Sequence, residues 1–421
     1  MKLESKWTAV RLGDLGVVFT GRTPPTEHAE YFGDAFPFIT PGDMHQGKYA
    51  RVTQRGVSNE GAQHLARIKL PANSICVSCI GWQMGEVILT DREAFTNQQI
   101  NSIVPHEEVD PSFVYYFFKT MKSALLSLGT TAGARTPILN KSAFSDLKLL
   151  LPSRETQRRI ASILGAYDDL IELNRRRITL LEEMAGRHFE EWFVHFRFPG
   201  HVGGAMIETP AGPIPKGWHM RAIDEVFEIM GGGTPSKAEA SYWHGGNISW
   251  YTPTDLTASK TVFVDASSLQ ITDEGLRRSS AQLFPAFSVM MTSRATLGVI
   301  SINTTKASTN QGFITCIPNE SVPLCFLRNW LQQKVPVFIA NASGSTFKEI
   351  TKGVFRQLPI VLPPEELVAT YENLARVLFD MVLNLERAQR KLAQCRDLLL
   401  PRLISGELSL FAAERELEAV A

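Results

Sequence analysis

A pair of cysteines has the spacing that zinc ligands often use. Cys76 and Cys79 are separated by two residues, and no second pair accompanies them, whereas a structural zinc ion usually takes four ligands. The segment around them is predicted to be a strand, on which positions three apart face opposite sides. We therefore predict buried thiols and no metal site. The odd total of five cysteines also favours free thiols over a disulfide framework.

Motifs for nucleotide binding and methyl transfer are incomplete. The stretch from Gly42 to Gly47-Lys48 is similar to a phosphate-binding loop, but Tyr49 follows where Ser or Thr would hold Mg²⁺. An adenine methyltransferase needs an Asn/Asp-Pro-Pro-aromatic motif, and the two double prolines, at 24–25 and 363–364, have other neighbours. We therefore predict a non-catalytic chain with no catalytic residue and no cofactor-binding residue.

One large module occurs twice along the 421 residues. The repeated residues lie 211 to 214 positions apart and include Trp7 and Trp218, Gly21 and Gly232, Thr23 and Thr234, Thr40 and Thr252, Asp43 and Asp255, Gly85 and Gly298, and Pro152 and Pro363. The offset drifts by three and returns, as small loop insertions would make it do. A period of half the chain indicates a duplicated domain and not a solenoid.

A Thr-Asn-Gln triplet belongs to this repeat, at 96–98 and 309–311. Asn and Gln can bind adenine through two hydrogen bonds, so Asn97, Gln98, Asn310 and Gln311 are possible base readers. Two halves that read different sequences would differ at such positions. Identity in both copies therefore favours a role in turn or strand hydrogen bonding, and the repeated Gly-x-Thr-Pro is predicted to be a structural turn by the same argument.

Each copy ends in a heptad pattern nearly 40 residues long, which corresponds to roughly 55–60 Å of helix. The seam after Pro152 comprises Ile160, Leu164, Tyr167, Ile171, Asn174, Ile178, Leu181 and Ala185. The seam after Pro363 comprises Tyr371, Leu374, Leu378, Val382, Leu385, Leu392 and Leu399. A helix of this length needs a partner along one face, and we predict that the two helices pair antiparallel. Asn174 either sets their register or faces solvent at an imperfect seam.

The predicted fold class is α+β: two homologous mixed α/β domains separated by two long antiparallel coiled-coil helices, with a pseudo-two-fold internal repeat. The predicted boundaries are 1–151 for the first domain, 152–198 for the central spacer helix, 199–217 for a linker, 218–362 for the second domain, 363–406 for the C-terminal spacer helix and 407–421 for a tail. Two similar domains on a rigid spacer suggest a device that reads two places on a long partner, for which DNA is the natural candidate.

Several segments together resemble the specificity (S) subunit of type I restriction–modification systems. They are the openings WTAVRLGDLGVVFTGRTP and WHMRAIDEVFEIMGGGTP, the LLEEMAGRHFEEWFVHFRFPGH block, the PIPKGW lead-in and the closing LLLPRLISGEL. The resemblance covers essentially the whole chain, and the order of the parts matches.

The resemblance implies that each domain is a target recognition domain for one half of a split, asymmetric double-stranded DNA site. The helices would set the unspecified gap between the halves and dock two methyltransferase (M) subunits, and the complex would recruit restriction (R) subunits. S-adenosylmethionine, ATP and Mg²⁺ would then belong to those partner subunits. The Arg175-Arg176-Arg177 run would face DNA phosphate or an acidic methyltransferase surface, or would simply be a solvated helix face.

Base readers are predicted where the two copies diverge. The three pairs of divergent segments are 45–58 with 257–270, 81–85 with 294–298, and 129–141 with 341–352. The DNA-binding candidates in these segments are Lys48, Arg51, Arg55, Arg135, Lys141, Lys260, Arg294, Lys348 and Lys352. Arginine would contact guanine or phosphate and lysine mainly phosphate, while for each residue a solvated surface charge is the alternative.

Composition sets the outer limits of the function. The chain has 43 basic and 43 acidic residues, so net charge gives no support to DNA binding, and a local basic surface would be required. We expect a cytoplasmic protein without membrane association, because no apolar run reaches the ~18–20 residues that span a bilayer. The rival hypotheses are a self-contained DNA-modifying enzyme and a paired-domain adaptor for a non-DNA partner.

Overall fold

The computed structural model describes residues 7–45, 47–130, 136–200, 205–210, 212–344, 348–408 and 410. These residues fall into two compact units. The first unit comprises the described chain up to Leu173 together with the part from Gln389 onward, and the second runs from Asn174 to Ala388. Each unit therefore contains one domain and a part of both long helices.

Over the described residues, the first domain contains nine strands and four short α-helices. Its strands are β1 (Thr8–Arg11), β2 (Gly16–Thr20), β3 (Phe32–Ile39), β4 (Arg55–Val57), β5 (Ile75–Ser78), β6 (Val87–Leu89), β7 (Phe95–Thr96), β8 (Ile100–Pro105) and β9 (Lys148–Leu151). Its helices are α1 (Asn59–His64), α2 (Pro111–Thr120), α3 (Lys122–Gly129) and α4 (Lys141–Ser145), and the first long helix, α5 (Arg154–Phe193), follows.

The second domain repeats the strand order with three additional strands. Its strands are β10 (Met206–Ile207), β11 (Ile214–Pro215), β12 (His219–Ala222), β13 (Ile229–Gly231), β14 (Ile248–Tyr251), β15 (Phe263–Val264), β16 (Leu269–Ile271), β17 (Val289–Thr292), β18 (Ile300–Asn303), β19 (Ala307–Thr309), β20 (Phe313–Cys316) and β21 (Pro359–Leu362). Its helices are α6 (Pro253–Ser259), α7 (Asp273–Arg277), α8 (Leu324–Ala340) and α9 (Lys352–Gln357), and the second long helix is α10 (Glu365–Ile404).

Sheet topology confirms the duplication that the sequence predicts. The main sheet has the order β2-β8-β5-β6 in the first domain and β13-β20-β17-β18-β15 in the second. The smaller sheets, β4-β3-β7 and β16-β14-β19, also match strand for strand. In both copies the first strand of the repeat pairs antiparallel with the strand that precedes the long helix, as β1 with β9 and β12 with β21. This pairing brings the start and the end of each domain together at the root of its helix.

The heptad seam of α5 is the buried face of that helix. Seven of its eight predicted members are buried, and Asn174 is only 7% exposed, so the interpretation that Asn174 faces solvent is wrong. The helix ends at Phe193, five residues before the predicted 198. Phe196 has φ of +57°, which an α-helix does not accommodate, so the chain turns away there.

The seam predicted for α10 is correct only in part. Tyr371, Val382 and Leu399 are buried, but Leu374 is 37% exposed. The buried stripe runs instead through Ala375 and Phe379. Leucine is more hydrophobic than alanine, so the sequence pattern selected Leu374 as the seam residue. In the structure, the rotation of the helix places Ala375 against the domain instead.

Within the first unit, the two long helices run antiparallel. The Arg396 guanidinium donates to Asp168 Oδ1 at 2.7 Å, and Gln389 Nε2 donates to the carbonyl of Ile171 at 3.5 Å. Positions that increase along α5 therefore meet positions that decrease along α10. Apolar residues from the ends of both helices, such as Leu164 and Leu403, complete the core of the first domain.

Within the second unit, aromatic residues bind the end of α5 to the domain. The ring of Phe193 lies 4.9 Å from Phe326 and 5.1 Å from Tyr371, and Phe196 lies 5.2 Å from Trp218, measured between ring centroids. These ring contacts seal the end of the helix against the second domain. Among the described helices, none has the length and apolar character required to cross a bilayer.

Candidate nucleic-acid interface

The repeated motifs contact each other inside each domain. A Cβ atom added to Gly21 would lie 2.2 Å from the carbonyl oxygen of Asn97, and one added to Gly232 would lie 1.9 Å from that of Asn310. Only glycine allows this close approach of two backbone segments. The Gly-x-Thr-Pro turn and the Thr-Asn-Gln triplet therefore form one structural unit, present in both copies.

Hydrogen bonds join the same two motifs. Thr23 Oγ1 donates to Gln98 Oε1 at 2.8 Å, and the equivalent bond from Thr234 to Gln311 is 2.6 Å long. Asn97 Oδ1 accepts from the backbone N–H of Gln99, as Asn310 Oδ1 does from that of Gly312. The scaffold interpretation of the triplets is thus confirmed, because the amide oxygens of all four residues accept hydrogen bonds from the protein itself.

A second repeated motif holds a divergent segment in place. Thr40 and Asp43 form a capping box, in which Thr40 N and Oγ1 both donate to Asp43 Oδ2, and the other Asp43 oxygen accepts from the N–H of Gln54. The second domain does the same with Asp255, whose Oδ1 accepts from the N–H of Ser268 at 2.9 Å. Each repeated aspartate therefore ties the variable segment that follows it to the sheet.

Electrostatics support this role for Asp255. Burial by itself raises the pKa of this carboxyl, but the hydrogen bonds from Ser268 and Thr252 outweigh it and hold the pKa below its usual value. The group is therefore a carboxylate at neutral pH, and its charge strengthens the bonds that it accepts.

The divergent segments of the first domain converge. Ile80 pairs with Ile138, and the N–H of Gly81 donates to the carbonyl of Pro137 at 2.9 Å, which joins segments 81–85 and 129–141. The amide of Gln83 lies 3.2 Å from the His45 imidazole, which adds segment 45–58. Residues separated by more than 90 positions in the chain thus form one surface.

The second domain builds the same surface from different residues. Arg294 pairs with Glu349, and the N–H of Ala295 donates to the carbonyl of Lys348 at 3.1 Å. Lys260 lines a cleft together with Gly298, so all three segments meet here too. In each domain, a repeated scaffold presents three segments whose sequences differ between the copies.

The predicted basic candidates occupy different environments. Six of them are exposed: Arg51, Arg55, Lys141, Lys260, Arg294 and Lys348. Lys48 and Lys352 are half-buried, and Arg135 lies outside the described residues. Arg294 also has a carboxylate neighbour, with its Nε 3.8 Å from Glu349 Oε2.

Lys48 is engaged within its own unit. Its ammonium group lies 5.3 Å from the ring centroid of Tyr116 and 5.7 Å from that of Tyr115. Burial lowers the pKa of Lys48, and the negative charges of Asp168 and Asp169 partly offset that effect. This environment connects the domain to the start of α5, and its aromatic contacts compete with any contact to phosphate.

The cysteine pair has the predicted disposition. Cys76 lies in one apolar cluster and Cys79 in another, on opposite sides of β5. Burial raises the pKa of each thiol to about 12, so both are protonated at neutral pH. Among the described residues, no group of three or more His, Cys, Asp or Glu is placed to hold a metal ion.

Sequence reasoning missed one residue on the converging surface. Trp82, in segment 81–85, is 72% exposed. The candidates predicted within the divergent segments were all basic residues, although the divergence of segment 81–85 was a sufficient signal to include Trp82.

These features define a class of protein. A duplicated scaffold with repeated interior motifs and divergent, converging surface segments belongs to a two-domain recognition protein. The chain belongs to the family described as type I restriction modification DNA specificity domain, whose profile matches residues 4–183 and 215–372. The resemblance seen in the sequence is thereby confirmed.

Relatives and a solved structure agree with this assignment. The chain is 24% identical over 417 residues to the type I restriction enzyme MjaIX specificity subunit of Methanocaldococcus jannaschii. This match covers 97% of this chain and 94% of that protein. Over 163 residues it is 38% identical to the HindI specificity subunit of Haemophilus influenzae, or 37% of this chain and 35% of that one. The S subunit from M. genitalium has the same fold, with a TM-score of 0.60 and 15% identity over 96% of this chain and 97% of that structure.

Proposed function

We propose that this chain is the DNA sequence-specificity subunit of a type I restriction–modification complex, and that each domain contacts one half of a bipartite, asymmetric DNA site. The observation that carries the proposal is that repeated and divergent residues have different roles within each domain. The motifs shared by both copies bond to one another, whereas the three segments that meet at the surface differ. A protein with two copies of one scaffold needs this arrangement to read two different half-sites.

The exposed basic residues supply the groups that DNA contact requires. Arg51 and Arg55 in the first domain, and Arg294 and Lys348 in the second, project from the divergent segments. Arginine can bind guanine O6 and N7 through two hydrogen bonds or grip phosphate, and lysine neutralises phosphate. Because net charge is zero, affinity would depend on this local basic surface.

The chemistry would belong to partner subunits. We propose that two methyltransferase subunits and restriction subunits assemble on this chain, and that S-adenosylmethionine, ATP and Mg²⁺ act in those subunits. The curated relatives are themselves named as specificity subunits of restriction enzymes, which supports a non-catalytic role. The long helices are the proposed docking surface, and their role in setting the gap between half-sites stays a prediction.

Exchange of one domain tests the proposal directly. Residues 1–151 are replaced by the corresponding domain of a relative, the hybrid is co-expressed with its methyltransferase, and the methylated adenines of the genome are mapped. We expect one half-site to change and the other to stay the same. A change in both half-sites, or in neither, would contradict the hypothesis that each domain recognises one half-site independently.

Salt dependence of binding separates DNA recognition from the adaptor hypothesis. Phosphate contacts release counterions, so affinity for duplex DNA should fall steeply as ionic strength rises. The assembled complex is titrated with a fluorescent duplex that carries the mapped site and with a scrambled duplex. Equal, salt-independent binding of both would argue against sequence recognition.

A further inference from the structure

Trp82 is displayed to solvent in a way that the other tryptophans are not. All seven tryptophans lie in the described residues. Of the other six, Trp192, Trp250 and Trp330 belong to apolar clusters, Trp7 and Trp243 pack against such clusters, and Trp218 is only 3% exposed. Trp82 is 72% exposed. An indole ring has a large apolar surface, and its exposure at one place suggests a ligand that covers it.

The turn that carries Trp82 is firmly anchored. Gly81 and Gly85 have φ of +88° and +87°, which only glycine adopts readily. The N–H of Met84 donates to the carbonyl of Gly81, and that of Gly85 to the carbonyl of Ser78. Met84 is buried and packs against Gly129. The indole is therefore held out by a fixed turn, at little further entropic cost on binding.

The surroundings of Trp82 combine stacking and hydrogen-bonding groups. Ile138, 56% exposed, lies on the strand segment that pairs with the residue before Gly81. Gln83 and His45 contact each other on the same surface. Amide and imidazole groups can bond to base edges, and an aromatic ring can stack on a base whatever its identity.

The second domain has no counterpart of this ring. Gly85 and Gly298 are equivalent, so Ala295 occupies the position of Trp82. A surface for two identical partner subunits should recur in both domains, because each subunit would meet the same side chains. A residue present in one copy alone is instead expected where the two domains contact different DNA sequences.

We propose that Trp82 inserts between adjacent base pairs of the half-site contacted by the first domain and stacks against a nucleobase there. The inference rests on the proposed function and adds a DNA-contacting residue to it. The indole covers the base face, while Gln83 and His45 lie beside it for contacts to base edges or sugar.

Base-analogue fluorescence tests this contact in the assembled methyltransferase complex. Duplexes carry 2-aminopurine at successive positions of the mapped half-site, whose emission reports stacking. We expect Trp82→Ala to weaken site-specific binding about 5- to 100-fold and to change the emission at one position. Trp82→Phe should restore most of the affinity. Val17→Ala, which alters a residue of the same domain that is 52% exposed and lies outside the divergent segments, serves as the control and should bind as the wild type does.

The outcomes separate the two proposals. If the wild type binds its site and Trp82→Ala binds equally with unchanged emission at every position, the Trp82 contact is overturned while the proposed function stands. If Trp82→Ala fails to assemble with methyltransferase subunits, as measured by size-exclusion chromatography, the ring contacts protein and the proposal is also overturned. If the wild-type complex shows no preference for any site, both proposals fall together.

Discussion

Helices α2 and α8 occupy equivalent positions in the two domains, but their N-termini are capped in different ways. In α2, the side chain of Asp110 accepts from the N–H of Phe113 at 3.0 Å. Proline stands at the equivalent position of α8, and the carboxylate of Glu372, on α10, accepts from the N–H groups of Cys325 and Phe326. One helix therefore carries its own cap, while the other receives it from the long helix.

The contacts in the middle of these helices also differ between the two units. Tyr116 donates to Asp168 Oδ2 at 2.6 Å, and Arg396 holds the other oxygen of that carboxylate. In the second unit, the buried guanidinium of Arg328 donates to Glu182 at 2.8 Å and lies over the ring of Phe379. Phe379 is the counterpart of Asp168 in the repeat.

This comparison shows that the two copies share their backbone architecture but differ in the polar side chains that make the contacts. Strand order and interior turns are the same in both units, but the groups that fasten each domain to its helices differ in kind. The second unit relies more on buried carboxylates, since Glu372 and Glu386 are 9% and 2% exposed. Its stability should therefore be more sensitive to loss of single charged groups.

The largest expected effect is at Glu386. Its two carboxylate oxygens accept from the N–H groups of Val262 and Phe263 at 2.7 and 3.0 Å. Glu386→Ala leaves two buried donors unsatisfied and should lower the free energy of unfolding by about 2–5 kcal/mol. Urea denaturation of the full chain measures this change in the free energy of unfolding. Arg177→Ala, at an exposed position of α5, is the control and should stay within about 0.5 kcal/mol of the wild type.

The two helix caps give the next effect. Glu372→Ala removes charge-assisted bonds to the start of α8 and should cost about 2–3 kcal/mol, whereas Asp110→Ala removes a local cap and should cost about 1 kcal/mol. Hydrogen exchange at the first turns of both helices, together with urea denaturation, measures the difference. Equal costs would remove the distinction between a local cap and a distant one.

Substitutions at the mid-helix contacts should also cost more free energy of unfolding in the second unit than in the first, but the difference should be smaller. Arg328→Met breaks a pair whose glutamate is one-third exposed, and solvent reduces the penalty, so we expect about 1–2 kcal/mol. Tyr116→Phe removes one hydroxyl and should cost about 0.5–1.5 kcal/mol. A double-mutant cycle with Glu182→Gln isolates the Arg328 pair, and zero coupling would assign its effect to packing alone.

The smallest effect concerns pH and the capping box of the second domain. The folded pKa of Asp255 lies below its ordinary value of 3.8, so its carboxylate stabilises the fold above that value, and the contribution disappears as pH falls through the lowered pKa. Asp255→Asn should cost about 1 kcal/mol at pH 7 and converge with the wild type in acid. Thermal unfolding at pH 3 to 7 measures this, and a constant difference over that range would contradict it.

Much of the architecture was predictable because it depends on patterns that recur. The duplication, the mixed α/β domains, the seam of α5 and the scaffold role of the triplets follow from glycine and proline positions and from apolar periodicity. The divergent segments were also predictable, by subtraction of one copy from the other. Their convergence was not, because long-range pairings such as that of Ile80 with Ile138 leave no local pattern.

The amino-acid sequence by itself determined that the protein has two copies of one scaffold, each followed by a long amphipathic helix, because local propensity and period encode those features. Only the tertiary structure decided which polar groups serve the interior. Glu372 and Glu386 read as solvent-facing positions in any hydropathy pattern, and they are buried because unpaired backbone N–H groups of the second domain lie opposite them. The division into units also depends on tertiary packing. Burial of Leu399 and Leu403 joins the end of α10 to a domain more than 200 residues earlier in the chain.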